Sequence, residues 1–468
     1  MAGADAPATR PRAEWLPALA IGIATGILPA ISRSPAAMRA MAGALVTAPV
    51  LWIAFSRPRE WPLLFCGAAI LLPPAPFAIG DSGAHASILI AAAGLLGGMA
   101  SLREWRIRRS GLNAALAAYL GALALSLGWA ALYSGAAIAA QSAARVILLG
   151  TGVYVYFTAS QGPAQAGGAA AARGARALFR IAAAAAIFGC LDFLYQLPAP
   201  AGFGAQYVWL STGVYRRAQG LFYDASALGN FCAFFFVMSV VAFTARKVLS
   251  RLAAAFGIAL FLAAMLLSFS RAAVGAAAIA CCALAVVERR RWPVARVGFA
   301  AAALVSIAVL VFAAMPSEFA STYIARLGFA GGAGVTPERF FSGRLETWKT
   351  IGGFLAEHPW QILTGIGYKT LPYTQRLGKP VIADNMYLST LVETGVFGLG
   401  ALLGLNAAIL GAAYRAARRG SFFGKWMFCF WAGEVFQMML GDVLTFWRVL
   451  PVYFWVLAQV VSDESTAG

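Results

Sequence analysis

Apolar residues in this chain come in long blocks. Runs of roughly 20 apolar residues, the length a helix needs to cross a bilayer, are centred near positions 23, 47, 70, 93, 124, 152, 187, 236, 261, 280, 305, 400, 431 and 454. Short polar breaks separate most of them. The pattern predicts an all-α polytopic membrane protein with about 12–14 transmembrane helices. The run near 70 is broken by Gly and Pro, and the two runs beside Arg271 are short. One break is far longer than a connection needs. It spans residues 316–384, and connections of that length are functional or disordered. The chain therefore divides into a helix bundle over 1–315, a large loop over 316–384 and C-terminal membrane helices over 385–468.

Charge decides which side each break occupies. If the N-terminus is cytoplasmic, 22 of the 36 Lys and Arg residues fall in the cytoplasmic segments, among them Arg103 to Arg109, Arg246 to Arg251 and Arg415 to Lys425. The other side holds 14, of which 7 lie in the long loop, leaving 7 in its short loops. Orientation follows the Lys/Arg bias of short loops, so both termini are predicted inside and the 316–384 loop outside. The net charge of +18 is then mainly a topology signal, and no nucleic-acid partner is expected. All six cysteines sit inside apolar runs, where Cys behaves as a small hydrophobe, so neither a disulfide framework nor a metal-ligand spacing is implied. The first 14 residues are polar, and Trp15 opens the first apolar run without an A-x-A exit. That predicts a retained first helix.

The long loop does not read as disordered. Thr336-Pro337 is a helix start, and Phe340, Arg344, Trp348, Ile351 and Leu355 recur at spacings of three and four up to Glu357, so they share one helix face. Arg344 thus sits in an apolar stripe. It either snorkels from an interfacial helix towards headgroups or aims a guanidinium into a cavity to grip phosphate. Arg271 poses the same choice within Ser268-Phe269-Ser270-Arg271, a polar knot between two apolar runs, because an ionisable group at membrane depth is costly and faces a cavity or a bundle interior unless it anchors the interface. Arg216-Arg217, followed by Gly220 to Asp224 and then Ser226, Gly229 and Asn230, either anchors the next helix or forms a third site. Three guanidinium sites on the side where positive charge is disfavoured carry more weight than any one of them.

Taken in order, these motifs resemble the O-antigen polymerase and ligase family over about 180 residues: Arg217 with Gly220 and Asn230, Ser270-Arg271, Gly343-Arg344 with Trp348, His358-Pro359 with Gly365 and Gly367, and Asp384-Asn385-Met386-Tyr387-Leu388 with Glu393 and Gly395. The N-terminal half matches only in hydropathy. The resemblance implies a metal-independent glycosyltransferase without a cofactor, in the bacterial inner membrane with its active site facing the periplasm. It implies a glycan on undecaprenyl diphosphate as donor, and as acceptor either another lipid-linked repeat unit, for a polymerase, or lipid A-core, for a ligase. Arg216, Arg217, Arg271 and Arg344 would hold the diphosphate together with Asn385 and Tyr387, and Asp384, Arg344 and Arg271 would be catalytic. Guanidinium suits that task, since it stays charged and binds phosphate oxygens in a fork.

The departure from the family pattern is at Asp384, where ligases normally carry a histidine. An aspartate can serve as general base, although a carboxylate beside a guanidinium is a weak one. Its alternative is a plain cap for the following helix. His85 and His358 are not evident substitutes, and His358 is placed to cap the loop helix at its C-terminus. The Asp-Asn form favours a polymerase over a ligase. A transporter of lipid-linked sugars is the alternative class, but its charges belong at mid-membrane. A non-enzymatic scaffold would leave the outward arginines unexplained.

Overall fold

A computed structural model describes residues 52–288 and 343–465, apart from 55, 74–77, 80–81, 84, 163–167, 199–203, 205, 211–212 and 375. The expected spans near 23, 47 and 305, the helix start at Thr336-Pro337 and the residue Phe340 lie outside the described residues. Each of the other eleven apolar runs is a helix: α1 (Trp61–Leu71), α2 (Ser87–Ala100), α3 (Gly111–Ser134), α4 (Ala136–Gln161), α5 (Gly168–Tyr195), α6 (Ala225–Ala245), α7 (Arg251–Leu267), α8 (Arg271–Glu288), then, after the loop helices α9 (Arg344–Glu357) and α10 (Pro359–Thr364), α11 (Met386–Arg418), α12 (Phe422–Gln437) and α13 (Leu450–Ser465). Six of them, α3, α4, α5, α6, α8 and α11, are long and apolar enough to cross a membrane, and α1, α2, α7 and most of α13 are shorter apolar helices. Two small antiparallel pairs are the only strands among the described residues: β1 (Ala78–Ile79) with β2 (Ser82–Gly83), and β3 (Tyr207–Leu210) with β4 (Gly213–Arg216). The protein is an all-α polytopic membrane protein.

Tight turns reverse the chain between neighbours. Gly135, at φ +92°, joins α3 to α4, residues 246–250 join α6 to α7, 268–270 join α7 to α8, and 419–421 join α11 to α12. The turns therefore gather at two ends of the bundle. At one end, the backbone N–H of Arg106 donates to Gln161 and Lys425 pairs with Glu288. At the other, Ala218 N–H donates to Leu267 and Met386 N–H to Met438. The site arginines all belong to that second end.

Helix α6 is apolar on every side, as a helix surrounded by others must be. Phe234 at its centre packs on Trp426, Phe430 and Tyr453 with ring centroids 4.5, 4.7 and 4.4 Å away, so α6, α12 and α13 share one aromatic core. A second, smaller core lies at the second end of the bundle. Ile351, Phe354 and Leu355 of α9 pack on Ile366, Leu371, Val381, Ala383 and Val392, which makes the described part of the long loop an ordered lobe seated on the head of α11.

Helix α11 is broken at Gly395, whose φ of +72° and ψ of −174° are not helical. The break is shaped by the Gly-x-Gly segment below α10. Ile366 and Gly367 donate their N–H groups to the carbonyls of Val392 and Glu393, at 3.0 and 2.8 Å, which accounts for two groups the break releases. The approach is too close for side chains: a Cβ on Gly365 would lie 2.3 Å from the Glu393 carbonyl oxygen, one on Gly395 2.0 Å from that of Leu363, and one on Gly367 2.4 Å from Ala130 of α3. The glycines fix where this lobe docks.

Candidate active site

Asp384 and Asn385 stand at the head of α11 with separate tasks. Asn385 is extended, and its Oδ1 accepts the Leu388 N–H at 3.0 Å, so Asn385 is the helix cap. Asp384 is not the cap. It is held at φ +45°, the left-handed region that costs a residue with a Cβ, and its Oδ2 accepts from Arg344 Nε at 3.2 Å. Four residues further along the same face of α9, Trp348 Nε1 donates to the Ala383 carbonyl at 2.8 Å. Two neighbouring side chains of α9 thus clamp two consecutive residues of the loop. The stripe containing Arg344 packs against the protein: Ile351 and Leu355 are buried in the lobe, and Arg344 reaches the aspartate.

This pair leaves chemistry to spare. Among the described residues, Oδ1 of Asp384 and the two terminal nitrogens of Arg344 have no partner. The Arg344 and Asp384 side chains keep 25% and 48% of their surface exposed. An acceptor oxygen and a two-pronged donor are therefore presented side by side. Tyr387 turns elsewhere: its hydroxyl donates to the Val435 carbonyl at 2.9 Å and lies 3.5 Å from Asn406 Nδ2. It joins α11 to α12.

Arg217 and Arg271 form the second half. The connection from α5 into α6 runs through the β3–β4 hairpin, whose last residue is Arg216, and a 3-10 turn over Gly220–Phe222. Asp224 then caps α6, accepting from Ser226 and Ala227 N–H at 2.6 and 3.1 Å. Half-buried Arg217 donates from Nε to the Ser268 carbonyl at 2.7 Å. Arg271, also half-buried, opens α8 only three residues on, where Ser270 Oγ accepts the Ala273 N–H. A Cβ on Gly229 of α6 would come within 2.8 Å of Ser268 and Ser270. So Gly229 lets α6 close onto the knot, and Arg217 and Arg271 flank the same Ser268–Ser270 segment.

Arg216, expected to join them, faces the protein interior. Buried to 7% exposure, its guanidinium pairs with Asp192 of α5 and donates to the Leu197 carbonyl. The two clusters are linked through α12. A Cβ on Gly275 of α8 would lie 2.8 Å from Phe436 at the end of α12, and Met438 just beyond accepts the Met386 N–H at 2.7 Å. The histidines have other work. His358 lies on Phe354, with ring centroids 4.8 Å apart, and donates its backbone N–H to the Phe354 carbonyl at 3.0 Å, capping α9. His85 is buried, with Nε2 2.8 Å from the Leu72 carbonyl and Nδ1 accepting the Ser87 N–H at 3.2 Å. Burial and the nearby Arg448 push its pKa down to about 4.

Several polar residues around the site were not foreseen. Asp192 lies in the apolar run near 187, where an acid at membrane depth is itself a signal. Lys369 pairs with Asp442 of the α12–α13 connection, and Arg145 of α4 donates to Tyr373 Oη at 3.2 Å. Arg376 covers the ring of Tyr133 on α3 at 4.1 Å. Nothing local in the sequence marks these pairs, whose members lie in separate segments.

Against known proteins, a family model described as O-antigen ligase matches residues 256–403, from α7 across the break in α11. The match contains Arg271, Arg344, Asp384 and Asn385 and stops short of Arg217 on the N-terminal side. No curated protein matches the chain. The order of the motifs, the polytopic helical fold and this match agree: the chain is a multi-pass membrane protein whose residues 256–403 are similar to the O-antigen ligase family.

Proposed function

We propose that the protein is a glycosyltransferase of the bacterial inner membrane that works at its periplasmic face, moving a glycan from undecaprenyl diphosphate to the hydroxyl of another lipid-linked repeat unit. The observation that carries this is the Arg344–Asp384 pair, whose second carboxylate oxygen and guanidinium fork have no partner among the described residues, at the same end of the bundle as Arg217 and Arg271. Transfer forms a bond from the acceptor oxygen to the anomeric carbon as the bond from that carbon to the diphosphate oxygen breaks. The lipid diphosphate leaves with the bonding electrons, and the hydroxyl proton passes to a base. The arrangement matches those demands. Arg217 and Arg271 stabilise the charge that grows on the leaving group. Asp384 Oδ1 orients the acceptor hydroxyl and takes its proton, while Arg344 fixes Asp384 through Nε and offers its fork to the donor.

A ligase using lipid A-core as acceptor is supported by the description of the matched family. One reconstitution tests both readings. Purified protein given the lipid-linked repeat unit alone is expected to make polymer. Product that forms only when lipid A-core is added assigns the ligase, and no transfer in either mixture removes the enzyme reading.

A further inference from the structure

One buried carboxylate organises the segment that carries Arg217. Asp192, in the last turn of α5, is only 4% exposed within an apolar stretch. Its Oδ1 pairs with Arg216, and its Oδ2 accepts the N–H groups of Gln219 and Gly220 at 3.1 and 3.0 Å. Arg216 is tied again through its backbone: Gln196 Oε1 accepts its N–H at 2.7 Å and Gln196 Nε2 donates to its carbonyl at 3.1 Å. Residues 216–220 are therefore held through side chains and backbone to the end of α5. Successive side chains of an extended segment point to opposite sides. With Arg216 drawn inward, Arg217 turns the other way, where the Ser268 carbonyl meets its Nε.

Stability alone does not account for this pair. Burying two charges costs nearly as much as their attraction returns, and an apolar pair of the same volume is often as stable. We infer that Asp192 and Arg216 form a positioning unit that aims Arg217 at the donor diphosphate, so that the inner of the two adjacent arginines serves the outer one. The inference rests on the role proposed above for Arg217, and the test separates the two.

Full-length protein purified in detergent would be titrated with undecaprenyl diphosphate in a double-mutant cycle. Its four members are wild type, Arg217→Ala, the neutralised pair Asp192→Asn with Arg216→Gln, and the combination. Loss of one charged contact to phosphate should weaken binding by about 10- to 100-fold in Arg217→Ala. The neutralised pair is expected to lose about 5-fold or more, and less than about 2-fold when Arg217 is already alanine, because its effect passes through that residue. Wild-type binding by the neutralised pair, or full additivity with Arg217→Ala, would overturn the inference while leaving Arg217 in the site. Wild-type binding by Arg217→Ala would instead overturn the donor role of Arg217, and the positioning unit with it. Should the neutralised pair fail to give a monodisperse peak, Asp192→Glu, which keeps the charge but displaces it by one methylene, reports in the same cycle with the same criteria.

Discussion

An aspartate that caps a helix and an aspartate that handles a proton respond differently to amidation, and the geometry around Asp384 separates them. Since Asn385 is the cap, Asp384→Asn removes no helix-capping bond and should leave thermal stability in detergent close to wild type. Turnover should fall by ~10² or more if the carboxylate takes the acceptor proton, and wild-type turnover would remove Asp384 from the chemistry. Asn385→Ala should show the reverse balance, costing ~1 kcal/mol of stability. Arg344→Lys keeps the charge but loses the fork and the Nε bond, so transfer activity should drop despite the apparent conservatism. His85 gives a pH signature away from the site. Its Nε2 must carry the proton that the Leu72 carbonyl accepts, so Nδ1 accepts from Ser87 Oγ at 2.7 Å and from the Ser87 N–H, and a second proton would reverse the first bond and oppose the second. A folded-state pKa depressed from 6.5 to about 4 contributes stability that is fully present above 6.5 and lost as pH falls towards 4. The loss amounts to at most about 3 kcal/mol, and an unfolding series between pH 7 and 4 should show it in wild type but not in His85→Gln. At this scale Arg217, Arg271, Arg344 and Asp384 were legible as candidates because charged residues are rare in so apolar a chain. The inward turn of Arg216 was not, since adjacent identical residues carry no sign of which faces the core.

At the scale of elements, apolar periodicity located eleven described helices, yet it treated α11 as one rod. The break at Gly395 escapes a hydropathy reading because apolar residues, Leu391 and Val392 before it and Val396 and Phe397 after it, stand on both sides, and what breaks the helix is a separate segment, Gly365 to Gly367, docking against it. A Cβ at Gly395 would meet backbone that cannot move aside and would also force a left-handed φ on alanine. Gly395→Ala should therefore destabilise the protein by roughly 3 kcal/mol. Gly400, in the same helix with nothing within 4 Å of its would-be Cβ, supplies the control: Gly400→Ala should be neutral or stabilising by up to ~1 kcal/mol. Equal melting temperatures for the two variants would mean that the break is not held by this contact. The loop lobe itself was foreseen as a helix with Arg344, Trp348, Ile351 and Leu355 on one face. Its core partners from Ile366 to Val392 could not be, because they are assembled from loop residues without periodicity.

For the whole molecule, the question is whether the loop lobe is a fixed wall or a moving gate. Three cationic contacts from its 368–376 stretch reach three different elements: Lys369 to Asp442, Arg145 of α4 to Tyr373, and Arg376 to Tyr133 of α3. Together with the backbone bonds to Val392 and Glu393, they fasten the lobe to the bundle on several sides. That suits a site which opens one way and fits poorly with alternating access, which needs two arrangements of similar energy. The same fixed arrangement allows a direct test of sidedness. The ends of the bundle sort the described residues into two groups: Arg109 and Lys247 at one end, Lys349 and Lys379 at the other, all four exposed. The Lys/Arg bias assigns the first group to the cytoplasm. In a background with the six native cysteines replaced, single cysteines at 349 and 379 should react with a membrane-impermeant maleimide added to intact spheroplasts, and cysteines at 109 and 247 only after the membrane is permeabilised. Labelling of 109 or 247 from outside, with 349 and 379 protected, would invert the protein. The arginine cluster would then face the cytoplasm, and a periplasmic transfer reaction could not be its function.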